Sequence, residues 1–151
     1  MQTELETLQA NNTWQLVPRP KAVRPIKTRW VYKLKNPTNL TLIKDIVFKA
    51  QFVAKGFEQL YSLEYIETFT SVIKQIAWKI LFALATLNNW PIYKTDMHSA
   101  FIQGEIDSYI YLEQPQGFDS KSDHVLRLNK ALYGLKQSAQ IWYIIFLLIV
   151  L

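Results

Sequence analysis

Apolar and polar residues alternate along Thr28–Lys35, with Trp30, Tyr32 and Leu34 on one side and mostly basic residues on the other. Alternation with a period of two is typical of a half-buried strand, here with a basic outer face. A second strand is predicted over 43–54, where lysines are again interspersed. We therefore predict a β-hairpin with one basic face, suited to a nucleic acid or a nucleotide triphosphate.

Shorter apolar runs predict three further strands. They lie at 14–17, which prolines follow, at 91–95, and at 109–112, which ends before Pro115. The first twelve residues have modest helical character. These predictions give a mixed α+β chain whose strands are widely separated in the sequence.

The apolar period changes to that of a helix over 72–87. Its apolar residues recur every three or four positions and form one stripe, which predicts a helix packed into the core. Asn88 and Asn89 are expected to end it. A last helix is predicted to begin near Ser138, and the wholly apolar run 144–151 lies within it.

The composition fits one domain, or a large part of one, because the chain has 151 residues and half of them are hydrophobic. The absence of cysteine excludes disulfides and Cys-ligated zinc. The first ten residues contain two glutamates and no apolar segment of the kind that directs secretion. We therefore expect an intracellular protein, cytoplasmic or nuclear. The run 144–151 is far shorter than the about 20 residues that span a bilayer, so no membrane association is expected.

The charge is unevenly distributed. Residues 1–55 hold ten Lys/Arg against three acids, or +7, whereas residues 56–151 hold seven against nine, or −2. A basic first third is typical of a phosphate-binding surface, and equally of a solvated basic face.

Asp96 is the first candidate for chemistry, because it falls where the strand at 91–95 should end. A carboxylate there can hold Mg²⁺ together with substrate phosphates, although a strand-end aspartate is more often a turn or cap residue. His98 and His124 lack a partner at helical spacing and do not indicate a metalloenzyme.

Seven stretches, in order and correctly spaced, resemble the reverse transcriptase domain of copia-type LTR retrotransposon polyproteins. They are Asn11 to Pro18, Trp30 to Lys33, Phe48 to Ala50 with Val53 to Phe57, Tyr65 to Phe69, Thr95 to Phe101, Gln114 to Phe118 and Leu128 to Gln137.

The resemblance implies a fingers-and-palm reverse transcriptase fold, with about 1–90 fingers-like and about 91–151 an incomplete palm. It implies template-directed nucleotidyl transfer by two metal ions, Mg²⁺ or Mn²⁺. The implied partners are an RNA template, a DNA primer and a dNTP.

The resemblance also implies roles for single residues. Asp96 and the backbone carbonyl of Met97 would be metal ligands, and Phe101 would meet the sugar 2′ position, although it also fits a plain core aromatic. Gly134 and Gln137 belong to a segment that supports the templating pair, with Gly134 allowing a close backbone approach. Lys49 is expected at the triphosphate, and Lys33, Lys35 and Lys55 at nucleic acid.

Departures from the family pattern qualify this expectation. Gln51 stands where the family usually has an arginine that clamps the triphosphate, and an amide lacks that charged fork. Family members carry two further carboxylates in a Tyr-x-Asp-Asp stretch, whereas no two acids are adjacent in these 151 residues. We therefore expect a polymerase fragment, truncated within the palm, that is inactive as an isolated chain.

Two other interpretations remain. The chain is then either a basic nucleic-acid-binding remnant, or a structural protein or relic without function. In each case the apolar C-terminal tail is a candidate for self-association.

Overall fold

The structure is a computed structural model that describes residues 1–35, 47–68, 74–94, 97, 99–118 and 123–150. Short 3₁₀ turns lie at Gly56–Glu58 and Ala100–Gln103. The mixture of helices and strands confirms the α+β prediction. In chain order the elements are α1 (Gln2–Ala10), β1 (Trp14–Pro18), β2 (Thr28–Lys35), β3 (Val47–Ala54), α2 (Gln75–Leu87), β4 (Tyr111–Leu112), β5 (His124–Leu128) and α3 (Ser138–Val150).

An antiparallel three-stranded sheet has the order β1-β5-β4. Trp14 lies opposite Leu128, and Leu112 lies opposite Leu126. Ile26 extends this sheet, because its N–H donates to the Tyr111 carbonyl at 2.8 Å and its own carbonyl accepts from the Glu113 N–H at 3.0 Å. The segment that leads into β2 is thus anchored to the sheet.

Strands β2 and β3 form a separate antiparallel hairpin. Trp30 pairs with Phe52, and the two rings lie 5.4 Å apart. The alternation in the sequence predicted β2 with the bounds that the structure gives. The predicted second strand is confirmed from Val47 onward, whereas its first residues, 43–46, lie outside the described chain.

The core gathers side chains from α1, the segment before β2, β3, and the two stretches 102–112 and 126–135. Burying one such side chain contributes roughly 1.5–3 kcal/mol. The buried residues of the core are Leu8, Ile26, Phe52, Ala54, Ile102, Ile110, Leu112, Leu126, Leu128, Leu132 and Leu135.

Helix α2 ends as predicted, because Asn89 adopts a left-handed conformation (φ 53°) and the Trp90 N–H donates back to the Ala85 carbonyl at 2.9 Å. The prediction that its stripe packs into the core is wrong for 75–87, where Ala85 alone is buried. The helix is apolar on nearly all sides. The spacing of its apolar residues therefore predicts a helix, but it does not indicate which face packs against a neighbour.

The strand predicted at 91–95 is not formed over Pro91 to Lys94, which are irregular and exposed. Pro91 has no N–H to give to a ladder, which disfavours a central strand. The strand predicted at 109–112 is shorter than expected, because only Tyr111–Leu112 pairs with β5. Tyr109 is exposed instead.

Helix α3 begins at Ser138, as predicted, and the buried Ser138 hydroxyl donates to the Leu132 carbonyl at 2.6 Å. Its first turns pack closely, because a Cβ on Gly104 would overlap the Ile141 side chain. Farther along, Ile144, Leu148 and Ile149 are exposed. Among the described residues, no helix is long and apolar enough to cross a membrane.

Candidate nucleic-acid interface

One face of the β2–β3 hairpin is basic. Lys33 and Lys49 lie directly opposite each other, and the pair of Arg29 with Val53 occupies the same face. Both lysines and Arg29 are exposed. Like charges that face each other across a ladder are destabilising. Within the described part of the chain, no acid pairs with either lysine. Among the described residues, this face therefore has uncompensated positive charge, which an external anion would neutralise.

Two other predicted lysines lie at the ends of this hairpin. Lys55 follows β3 and is half-buried, and its N–H donates to the Lys27 carbonyl at 2.8 Å. The Lys27 N–H in turn donates to a Glu58 carboxylate oxygen at 3.1 Å, so an acid lies near this end. Lys35 is the last residue of β2, opposite Val47.

Phe101 lies in the 3₁₀ turn Ala100–Gln103 and is half-buried. Its ring meets the Tyr133 ring edge to face, with 5.0 Å between the centroids. Burial raises the pKa of the Tyr133 hydroxyl, and the negative charge of Glu4 adds to this effect. Tyr133 is therefore neutral at physiological pH. The contact fixes the turn beside the segment 133–137.

Gly134 has φ +91°, a conformation that residues with a side chain rarely adopt. A Cβ there would overlap the Ala54 carbonyl oxygen. The Tyr133 carbonyl accepts from the Ala54 N–H at 2.9 Å, and a Cβ on Gly56 would overlap the Gly134 carbonyl oxygen. The close backbone approach expected at Gly134 is therefore present, and its partner is the end of β3.

Gln137 is buried, and both the oxygen and the nitrogen of its amide are hydrogen-bonded. Its Oε1 accepts from Gln59 Nε2 at 2.9 Å, and its Nε2 donates to the Glu64 carbonyl at 2.9 Å. Gln59 Oε1 also accepts from the Lys136 N–H at 2.8 Å. Lys136 Nζ donates to the Tyr65 hydroxyl at 2.7 Å. These bonds join the segment after β3 to the segment before α3.

Gln59 was missed by sequence reasoning. It belongs to no pattern that distinguishes it from a surface glutamine, and it becomes notable only because both ends of its amide are paired in a buried setting. The sole sequence signal was its position soon after Gly56, at the end of a predicted strand.

The predicted metal ligands are not brought together by described residues. Asp96 lies outside the described chain, as does His98, and Met97 is partly exposed. Across 1–35, 47–68, 74–94, 97, 99–118 and 123–150, no three acidic, histidine or cysteine residues cluster as a metal site. These residues alone do not fit a metal centre.

Comparison with known proteins gives a consistent result. A family described as reverse transcriptase (RNA-dependent DNA polymerase) matches residues 11–150. The chain is 40% identical over 148 residues to the retrovirus-related Pol polyprotein from transposon TNT 1-94 of Nicotiana tabacum, covering 97% of this chain and 11% of that protein. It is 40% identical over 147 residues to that from transposon RE2 of Arabidopsis thaliana, covering 95% and 10%.

A more distant similarity extends to yeast. The transposon Ty1-BL Gag-Pol polyprotein of Saccharomyces cerevisiae is 32% identical over 105 residues, covering 66% of this chain and 6% of that protein. The chain thus spans about a tenth of the length of the first curated relatives that it matches. No solved structure matches.

Proposed function

Because the chain belongs to the reverse transcriptase (RNA-dependent DNA polymerase) family, we propose that it forms the fingers and the first part of the palm of such a polymerase. Residues of about 1–90 are fingers-like, and residues of about 91–151 begin the palm. The separate β2–β3 hairpin supports a fingers-like element. Strand β1 pairs with β5, so the two parts share the three-stranded sheet.

The hairpin is the nucleic-acid-binding element of this proposal. The observation that carries it is the direct pairing of Lys33 with Lys49 on an exposed face without an acidic partner among the described residues. Phosphate groups supply the missing negative charge. Lys33, Lys35 and Lys55 contact the RNA template and DNA primer. Lys49 contacts the dNTP triphosphate and, when no dNTP is bound, the phosphates of the nucleic acid.

Asp96 and the Met97 carbonyl are proposed as ligands of Mg²⁺ or Mn²⁺. Bound there, such ions would supply the charge that lowers the pKa of a primer 3′-hydroxyl and balances a leaving pyrophosphate. Phe101 is proposed to contact the sugar of the incoming nucleotide. Its contact with Tyr133 supports this, because it sets the turn beside Gly134 and Gln137, which are proposed to support the templating pair.

A binding remnant without catalysis is the second candidate function. This function requires the hairpin alone. The described residues form the basic face of the hairpin, whereas they form no cluster that could hold a metal ion. Both candidates share the nucleic-acid contact, so that contact is what should be tested first.

The test is the affinity of a labelled RNA template annealed to a DNA primer, measured by fluorescence anisotropy at low salt. We expect Lys33→Ala combined with Lys49→Ala to weaken binding about tenfold, for every sequence alike, because two phosphate contacts are lost. The matched control is Lys74→Ala with Lys79→Ala, which removes the same charge from exposed positions at α2. Equal affinities for the two double variants would overturn the proposal.

A further inference from the structure

The face of the β2–β3 hairpin opposite the lysines changes from buried to exposed along its length. Close to the three-stranded sheet, Phe52 is 0% exposed and packs against Trp30. Farther along the same face, Tyr32 is 67%, Leu34 57% and Phe48 80% exposed. The register places Leu34 directly opposite Phe48, with Tyr32 diagonal to Phe48. Two rings and an aliphatic side chain therefore form one exposed surface, the aromatic face.

Each strand of the hairpin also carries a lysine on the face opposite the aromatic face. Lys33 lies between Tyr32 and Leu34, and Lys49 follows Phe48, with their side chains on the opposite side of a ladder only two strands wide. A single strand of nucleic acid needs two kinds of contact, positive charge for its backbone and aromatic rings for its bases. The hairpin provides both, one on each face of a narrow ribbon.

A protein partner would fit this surface less well. Lysine is depleted in protein interfaces relative to the rest of the surface. Covering the aromatic face would bring a partner against the hairpin edge, where the described residues offer no acid to pair with Lys33 or Lys49. A polyanion with flat bases satisfies the rings and the lysines together.

We propose that Tyr32 and Phe48 stack on unpaired bases of single-stranded RNA, whose phosphates contact Lys33 and Lys49 around the hairpin edge. This inference rests on the proposed function, in which lysines of the hairpin bind the phosphates of a nucleic acid. It adds the residues that contact the bases of that nucleic acid. Stacking accepts every base, so the contact is independent of sequence.

The two contributions differ in their salt dependence. A lysine that neutralises a phosphate of a single strand adds about 0.7 to the slope of log affinity against log salt, whereas a stacking ring adds affinity without releasing counterions. The experiment measures binding of a labelled, unstructured RNA by anisotropy at several salt concentrations. The variants are Tyr32→Ala with Phe48→Ala, and Lys33→Ala with Lys49→Ala.

Two further variants make the result specific. Tyr32→Phe with Phe48→Tyr keeps both rings, and Tyr109→Ala with Phe82→Ala removes one exposed tyrosine and one exposed phenylalanine outside the hairpin. We expect the loss of the hairpin rings to weaken binding at least fivefold with the salt slope unchanged. The ring-preserving variant and the outside pair should bind like the original chain.

Each other outcome overturns the inference. If loss of the hairpin rings leaves affinity unchanged while loss of the lysines weakens it, the proposed function holds and the aromatic face has another use. An equal loss in the outside pair would mean that the effect is not specific to the hairpin. If loss of the rings changes the oligomeric state but not RNA affinity, the face is a contact between copies of the chain.

Discussion

Single residues determine how the segment 133–137 sits against the hairpin. Gly134 combines a positive φ with a neighbouring carbonyl oxygen where a Cβ would lie. Gly117 also has a positive φ (84°), but a Cβ there would have nothing within 4 Å. A side chain at either glycine would strain the backbone, but only a side chain at Gly134 would also overlap neighbouring atoms. Comparing the two positions therefore separates these two costs in the free energy of unfolding.

Gly134→Ala should lower the free energy of unfolding by about 1–3 kcal/mol more than Gly117→Ala, because overpacking against backbone adds to a conformational cost that both share. Urea unfolding followed by tryptophan fluorescence measures both. Similar values for the two variants would mean that the end of β3 and the Tyr133–Gly134 backbone are not in contact.

The sequence identified Gly134 and Gln137 as important residues, but the structure shows contacts for them that the sequence did not predict. Gly134 was expected to allow a close backbone approach, and the structure shows such an approach to the Ala54 carbonyl. Gln137 was expected near a nucleotide, and the structure adds that its amide is already paired. A motif preserves residue types and spacing, and it does not specify which neighbour a given atom meets.

At the level of secondary-structure elements, local patterns predicted β2, α3 and the end of α2 well. Alternation, helical period and paired asparagines act within a few residues, so the sequence contains that information. The strand over Pro91 to Lys94 and the burial of α2 over 75–87 were predicted wrongly, because both depend on what packs against the segment. An apolar run bounded by turns does not distinguish a buried strand from an exposed irregular segment.

The link between the hairpin and α3 depends on the Gln59 amide. We expect Gln59→Leu to lower the free energy of unfolding by roughly 2 kcal/mol, because the buried Gln137 Oε1 and Lys136 N–H lose their partner. Amide hydrogen exchange at Lys136 should also become faster.

A suitable comparison is Gln140→Leu, which removes an exposed hydrogen bond to Glu67. Its cost should be well under 1 kcal/mol, since water replaces the lost partner. A Gln59→Leu variant as stable as Gln140→Leu would contradict the described network.

Positive charge and exposed apolar side chains are unevenly distributed over the molecule. Positive charge is concentrated in residues 1–55, whereas large apolar side chains are exposed along α2 and the second half of α3. Exposed apolar surface favours association, and the sequence already indicated this for the C-terminal tail. The exposure of α2 was not predicted, because its stripe suggested burial.

We expect the chain to self-associate at micromolar concentration, with each apolar surface contributing. Ile144→Lys with Leu148→Lys, on one face of α3, should reduce the average mass in sedimentation velocity. Ile80→Lys with Leu84→Lys, on α2, should do the same.

The control for added charge is Leu60→Lys with Leu63→Lys, two exposed leucines outside both helices. This variant should associate like the original chain. A monomeric original chain over the whole concentration range would show that neither helix drives association.

Bound nucleic acid should lie on the β2–β3 hairpin and not on α2. Amide hydrogen exchange of the 151-residue chain should be measured with and without saturating single-stranded RNA at low salt. A two-stranded hairpin has many exposed backbone hydrogen bonds that open readily, so bound RNA should slow its exchange. We expect protection within Thr28–Lys35 and Val47–Ala54 and no change within Gln75–Leu87. Protection confined to α2 or α3, with the hairpin unchanged, would contradict this expectation.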